Sequence, residues 1–399
     1  MSRRALRLVP SFLLAAFAFS AAPSPTQENP PLAIVHGPYL TNPGPGEMTV
    51  LWTTNKPAAS WVEYASGGNF ETFPQFGGLV RTARPSRHGL IDAHRKQHLF
   101  RLGGLEPGKT YRYRVGSKDI LQFEPYEVVF GTTVSSGVEE FRTLDPSKDE
   151  FSFVVFQDLH GQEARLTQLT ARADLAQADL VFFNGDTLEA ITGEDYLFAG
   201  FIDPATRLFA RRLPFVYVRG NHDTRGAWAR RLEEYIPPRK GRYYYAFDHG
   251  PVRFVVLDTG EDKPDDSPVY AGLVDFDRYR LKEADWLKAE ISSEAFRRAV
   301  FRVVLVHMPP FGPSGYAVEH LTKAWGPWLN EGGVDVVLSG HYHKPYRLDP
   351  SPGKNAFPVL GGPNEGLIKG RVGKDGLSLQ VIDIKGNTMD ELRLPAKLK

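Results

Sequence analysis

The sequence predicts an all-β sandwich followed by a larger α/β domain in which helices cover a pair of layered sheets, α/β/β/α. Three observations carry this. A chain of 399 residues exceeds what one hydrophobic core usually serves, so two domains are expected. Residues 32 to 133 alternate strand-like segments with Gly and Pro turns and show no helical period. From residue 150 onward, continuous apolar runs alternate with helical patterns, as in sheets buried on both faces with helices outside.

Composition narrows the chemistry. The formal net charge is +1 and the hydrophobic fraction 42%, which argues against a nucleic-acid surface and against a disordered chain. Cysteine is absent, excluding disulfides, thiolate metal sites and a cysteine nucleophile. A metal would have to be held by His, Asp, Glu or Asn.

Residues 1–22 read as a secretory signal peptide. Arg3, Arg4 and Arg7 precede an apolar run from Leu8 to Phe19, followed by the small residues Ser20, Ala21 and Ala22. The run is too short to span a bilayer, with a shallow membrane anchor as the alternative. The mature chain is therefore expected to be periplasmic or extracellular, with no transmembrane segment. Residues 23–31 are a proline-rich spacer.

Within 32–133, Met48–Thr53 and Ala59–Tyr64 read as two strands. In His98–Val115, Leu99, Leu105, Tyr111, Tyr113 and Val115 can face one core, with Pro107 and Gly108 turning the chain. The pattern resembles a fibronectin type III domain, a fold that specifies no function. His36, His88, His94 and His98 read as isolated surface or cross-strand histidines. Residues 134–149 read as a linker to the domain at 150–395.

In that domain Phe151–Gln157, Leu180–Phe183, Phe215–Val218, Phe254–Leu257, Val303–Val306 and Val334–Leu338 are predicted strands, with Tyr243–Phe247 and Val359–Gly362 added to them. Glu163–Gln177 and Tyr279–Ile291 carry helical spacing. Five of the strands end in polar clusters: Asp158-Leu159-His160, Gly185-Asp186, Gly220-Asn221-His222-Asp223, His307-Met308-Pro309, and Gly340-His341-Tyr342-His343. In extended backbone, residues two apart point to one side, so each i, i+2 pair could share an ion. Any one cluster is weak. Five in order after apolar strands are not, because buried imidazoles and carboxylates cost free energy unless paired or bound to a metal. Nitrogen and oxygen donors without sulfur suit iron, manganese or zinc. Asp258 reads as a strand-end turn acceptor, and Arg219 and Arg225 as either a phosphate fork or surface ion pairs.

The series D-x-H, G-D, G-N-H-D, H-x-P and G-H-x-H is similar to the calcineurin-like metallophosphoesterase family. Gly37-Pro38-Tyr39-Leu40, with Met48-Thr49-Val50 and Trp52, resembles the sandwich that precedes the catalytic domain in purple acid phosphatases. The resemblance implies two metal ions per subunit. One would be held by Asp158, His160 and His343, the other by Asn221, His307 and His341, with Asp186 bridging. It also places His222 near the leaving group, with Asp223 as its acidic partner or as a helix N-cap, roles that can coexist. Arg225 is a candidate substrate contact. In two places the chain departs from purple acid phosphatases: His160 stands where they have glycine, and Glu189 where they have a metal-binding tyrosine. The tyrosine-to-iron colour should therefore be absent.

The family implies hydrolysis of a small phosphoester. A pair of cations lowers the proton affinity of a water between them, supplying a hydroxide to attack phosphorus in line, while His222 assists the departing oxygen. A phosphomonoesterase is the leading expectation. A phosphodiesterase of the same family, or a non-catalytic surface module with structural metal, are the alternatives.

Overall fold

The computed structural model describes residues 30–67 and 81–396. The signal-peptide assignment, and the spacer up to residue 29, lie outside the described residues. No helix among those described is long and apolar enough to cross a membrane. Leu32–Lys399 form one compact unit.

The described residues from 34 to 142 form a β-rich domain around Trp52, Val62, Phe100, Tyr113 and Phe141. The two short strands expected at 48–53 and 59–64 are one strand, Glu47–Ser66. Its first half pairs with Ile34–Thr41 and Arg95–Gly103, and its second with Arg81–Ala83 and Thr110–Glu124. An irregularity between Thr53 and Ala58 lets one strand serve both halves. The linker boundary is also corrected. Glu139–Arg142 is a strand paired with Thr110–Tyr113, and Phe141 is buried in this core, so the domain runs past residue 133.

The second domain has the expected four layers. One sheet carries Phe151–Phe156, Leu180–Asn184 and Phe215–Val218 in parallel. Three antiparallel C-terminal strands, Gly366–Gly373, Gly376–Asp383 and Thr388–Pro395, extend it beyond Phe151–Phe156. The other sheet orders Tyr245–His249, Val252–Val256, Phe301–Leu305, Val336–Ser339, Val359–Gly361 and Tyr346–Leu348. Strand alternation builds the layers. Phe153, Val155, Phe182 and Val216 face Phe254, Val303 and Leu338 between the sheets. Their neighbours Val154, Phe156, Val181 and Phe183 face an outer layer that includes Leu166, Phe198 and Phe201. Val304 and Val337 face the helices Phe276–Ile291 and Tyr316–Glu331.

Sequence reasoning missed Tyr316–Glu331, whose interior Pro327 argues against a helix in any propensity reading. It also assigned no element to Glu194–Ala210, which is continuous helical chain that buries Phe198, Phe201 and Ile202. The expected helix Glu163–Gln177 stops at Thr170, and a 3-10 turn covers Leu175–Gln177.

The two domains are joined by more than a connection. Thr41 pairs with Phe215 as a parallel neighbour, and its hydroxyl donates to Phe215 O at 3.0 Å. Tyr39 of the Gly-Pro-Tyr-Leu stretch is buried and donates to Tyr235 O at 2.7 Å. Tyr113 donates to Arg211 O at 2.7 Å, and Asn42 to Pro237 O at 2.7 Å. His36, expected to be isolated, pairs with Asp203 and stacks on Phe198.

Candidate metal centre

The polar clusters collect where both sheets end. Phe151–Phe156, Leu180–Asn184 and Phe215–Val218 supply Asp158, His160, Asp186 and Asn221, and the facing strands Phe301–Leu305 and Val336–Ser339 supply His307, His341 and His343. Asn184 ties the two ends together: its amide donates to Val306 O and Leu338 O, and its carbonyl lies 2.9 Å from His307 Nδ1. A carbonyl only accepts, so Nδ1 carries the proton and Nε2 of His307 offers its lone pair to the pocket.

Asp158 and His160 fall in one donor group whereas His341 and His343 divide between two, and the backbone of neither pair is extended. Asp158, His160, Asp186, His341 and His343 all have φ between 51° and 75°, in the left-handed region. These are five of the twelve non-glycine positive-φ residues among those described, so the strain is concentrated here. Each such residue costs on the order of 1–3 kcal/mol, a cost that persists only where the surroundings overdetermine it. The strand ends turn over, and the donors reach inward from tight loops rather than from extended chain.

Three groups of donors result, two of which meet at Asp186 while the third joins His160, Glu189 and His222. Asp158, His160, Asp186 and His343 place one donor atom each within 4.8 Å of one another, as do Asp186, His307 and His341, and Asp186 belongs to both. His160 Nε2 and His343 Nε2 are 3.0 Å apart, His343 Nε2 is 3.4 Å from Asp158 Oδ1, and His307 Nε2 is 3.0 Å from Asp186 Oδ2. Asn221 follows the same strand-end turn, and the adjacent amide of His222 donates to Asp186 Oδ1 at 2.9 Å. Asn221 Oδ1 is buried and makes no hydrogen bond. An orphaned acceptor in a polar pocket, with carboxylates and imidazoles around it, fits a pair of cations.

The motif glycines have a steric reason. A Cβ on Gly185 would lie 2.2 Å from His307 Nδ1, one on Gly340 2.7 Å from Asp158 Oδ2, and one on Gly220 2.3 Å from both the amide and Oδ1 of Asp186. Gly220→Ala is therefore expected to destabilise the protein by on the order of 1–3 kcal/mol and to lower the content of bound metal. Gly103→Ala, where a Cβ meets nothing within 4 Å, is the control. Thermal melting and elemental analysis of both variants check this, and equal metal content would refute it.

Charge within the pocket divides four imidazoles: His341 and His160 are lowered, whereas carboxylates raise His307 and His343. Burial pushes His341 down to about 4 and lowers His160 as well, keeping both imidazoles neutral. Burial also opposes charge on His307, but Asp186 and Asp158 outweigh it and hold that imidazole up to about 10. Asp186 in turn stays well below the usual carboxylate range: burial raises it, and His307 and His222 more than offset this. The His307 proton must leave before Nε2 can bind a cation. Because its pKa is raised, metal affinity should climb with pH, up to about tenfold per unit for one proton, and level off near pH 10. Calorimetric titration in buffers of different ionisation enthalpy measures the proton released, and an affinity flat from about pH 7 to 10 would exclude this displacement.

Three expectations need correction. Asp223 is not the partner of the His222 imidazole. Its buried carboxylate accepts from the amides of Thr187, Leu188 and Gly220 and from the Thr187 hydroxyl, at 2.8–3.4 Å, stitching two ligand-bearing loops together. It lies inside the short turn His222–Thr224 and caps no following helix. Burial and the nearby Asp186 push it up to about 6. Arg225 is not a free phosphate fork: it is committed to Glu261 at 3.0–3.3 Å and to Asp262, with Nη1 3.0 Å from His222 Nε2. Arginine only donates, so this Nε2 accepts, and Nδ1–H of His222 donates to Glu189 O at 2.8 Å. Arg219 is buried against Asp258, Tyr243 and Tyr279 and faces away from any phosphate role. Asp258 does accept from Gly260 N, as a turn acceptor would.

Residues 151–345 match the family described as calcineurin-like phosphoesterase, and residues 35–143 the one described as purple acid phosphatase, N-terminal domain. The chain is similar to "Purple acid phosphatase 18" of Arabidopsis thaliana, 24% identical over 335 residues, which is 76% of this chain and 64% of that protein. It is 29% identical to "Serine/threonine-protein phosphatase CPPED1" of Homo sapiens over 199 residues, 46% of this chain and 60% of that one. The solved structure of purple acid phosphatase PPD1 from yellow lupin (Lupinus luteus) seeds superposes with a TM-score of 0.64 at 16% identity, covering 90% of this chain and 74% of that one, a likeness of fold. The chain thus spans about three fifths of the length of these two curated relatives. Both domain matches fall on the two halves seen in the fold: the chain carries a calcineurin-like phosphoesterase domain preceded by a purple acid phosphatase N-terminal domain.

Proposed function

We propose that this protein is an exported phosphoester hydrolase dependent on two metal ions, acting as a phosphomonoesterase on a small substrate. The observation that carries the reading is the pair of donor groups sharing Asp186. Asp158, His160 and His343 would hold one ion and Asn221, His307 and His341 the other, with Asp186 common to both. Iron, manganese and zinc all suit these donors. When bound, such ions polarise phosphoryl oxygens and lower the pKa of water to near neutrality.

The chain's own residues do the rest. His222 is one fifth exposed, with Nε2 4.0 Å from Asp186 Oδ2, so it reaches the region where a phosphoryl group would sit. There it hydrogen-bonds or protonates the departing oxygen once Arg225 Nη1 has released Nε2 and that nitrogen has taken up a proton from solvent. Asp223 keeps the Asp186 and His222 loops in register through its four hydrogen bonds. Residues 1–22 direct export of the chain.

The test is to load the protein with iron, manganese or zinc, confirm two ions per chain, and offer a chromogenic phosphomonoester and a phosphodiester. Turnover of the monoester supports the proposal. Preference for the diester changes the substrate class, and turnover of neither leaves a metal-stabilised binding module.

A further inference from the structure

Glu189 belongs to neither of the two donor groups around Asp186 but forms a third with His160 and His222, touching both histidines. It follows Asp186 by three residues, and its carboxylate is well exposed, with Oε2 2.9 Å from His160 Nδ1 and Oε1 3.3 Å from His222 Nδ1. Its backbone carbonyl takes the His222 Nδ1–H at 2.8 Å. The rings of His160 and His222 meet edge to face at 4.8 Å, so one residue touches the outer nitrogen of two neighbouring imidazoles.

The consequence differs for the two rings. His160 Nε2 points to His343 Nε2, 3.0 Å away, and neither nitrogen can carry a proton if each is to give its lone pair to the same cation. The proton of His160 therefore belongs on Nδ1, which is buried and has no hydrogen-bonding partner of good angle, and the carboxylate beside it is that of Glu189. A carboxylate behind a metal-binding imidazole fixes its tautomer and its aim and raises its basicity. For His222 the main-chain carbonyl already sets the tautomer, and the Glu189 side chain adds only a second, longer contact.

We propose that the Glu189 carboxylate is a positioning residue for His160, holding Nδ1–H so that Nε2 stays directed at the cation shared with Asp158 and His343. This deepens the two-ion reading and rests on it. Removing the side chain should weaken one ion and not the other, because His307 is aimed independently by Asn184 O.

The experiment compares wild type, Glu189→Ala, Glu189→Gln and His160→Ala by metal titration and elemental analysis, with thermal melting alongside. Glu189→Ala is expected to lose about 10- to 100-fold in affinity for one ion while the other keeps its wild-type affinity. Activity at subsaturating metal should fall and return with excess metal. Glu189→Gln retains an oxygen that can accept Nδ1–H and should recover part of the affinity, which a purely charge-based effect would not allow. Wild-type affinity for both ions in Glu189→Ala would overturn the assignment, as would equal weakening of both. If wild type and His160→Ala bind alike, or wild type binds no pair of ions, the two-ion reading itself fails, an outcome separate from failure of the Glu189 role.

Discussion

Asp186→Ala is expected to abolish phosphoester hydrolysis and to yield protein that retains neither ion through dialysis. Asp186 is the only side chain common to both donor groups, so its loss opens both at once. It also faces His307, with 3.0 Å between Oδ2 and Nε2 and both side chains essentially inaccessible to solvent. In the metal-free protein, deleting one member of such a buried pair leaves the other charge uncompensated, a cost of about 3–5 kcal/mol. Denaturant melts of metal-free wild type and variant measure this, and elemental analysis measures the ions. Two retained ions in the variant would show that the donor groups do not share this carboxylate.

His222→Ala should separate chemistry from metal binding. Its imidazole belongs to neither of the two groups around Asp186, and its nitrogens are taken by Glu189 O and Arg225 Nη1. Both ions should therefore stay bound, while turnover of a monoester with a poor leaving group falls by about 10²–10⁴. A substrate whose leaving group needs no proton should suffer much less. An equal loss on both substrates would point to a structural collapse, and no loss would remove the residue from the reaction.

Much of the site was legible because metal ligation uses few residue types and strand ends are easy to find. Leu180–Phe183 and Phe215–Val218 are unbroken apolar runs, and the chain turns polar immediately after each. The partners of those polar residues were not legible. Asp223 sits beside His222 in sequence, which suggested a pair, but the left-handed turn at Asp186 brings the amides of Thr187 and Leu188 to its carboxylate instead. Arg225 stayed open between a phosphate fork and an ion pair because Glu261 and Asp262 are distant in the chain, and only the fold of that loop brings them to it. Glu189 could be seen as the residue in place of a tyrosine, but its reach to two imidazoles depends on ring positions that no local pattern encodes. The sandwich boundary was misplaced for a similar reason: Glu139–Arg142 is too short and polar to read as a strand without its neighbour Thr110–Glu124.

The strand Phe215–Val218, which leads into Asn221 and His222, is flanked on its outer side by Thr41. Cutting the chain near residue 150 to obtain a smaller enzyme would leave that strand as a bare margin of β-structure, with Phe215 O and the neighbouring apolar surface thrown open to other molecules. The front part is thus expected to act as a splint for the half that carries the donor clusters, and the shortest useful protein is expected to begin near residue 32 rather than near 150.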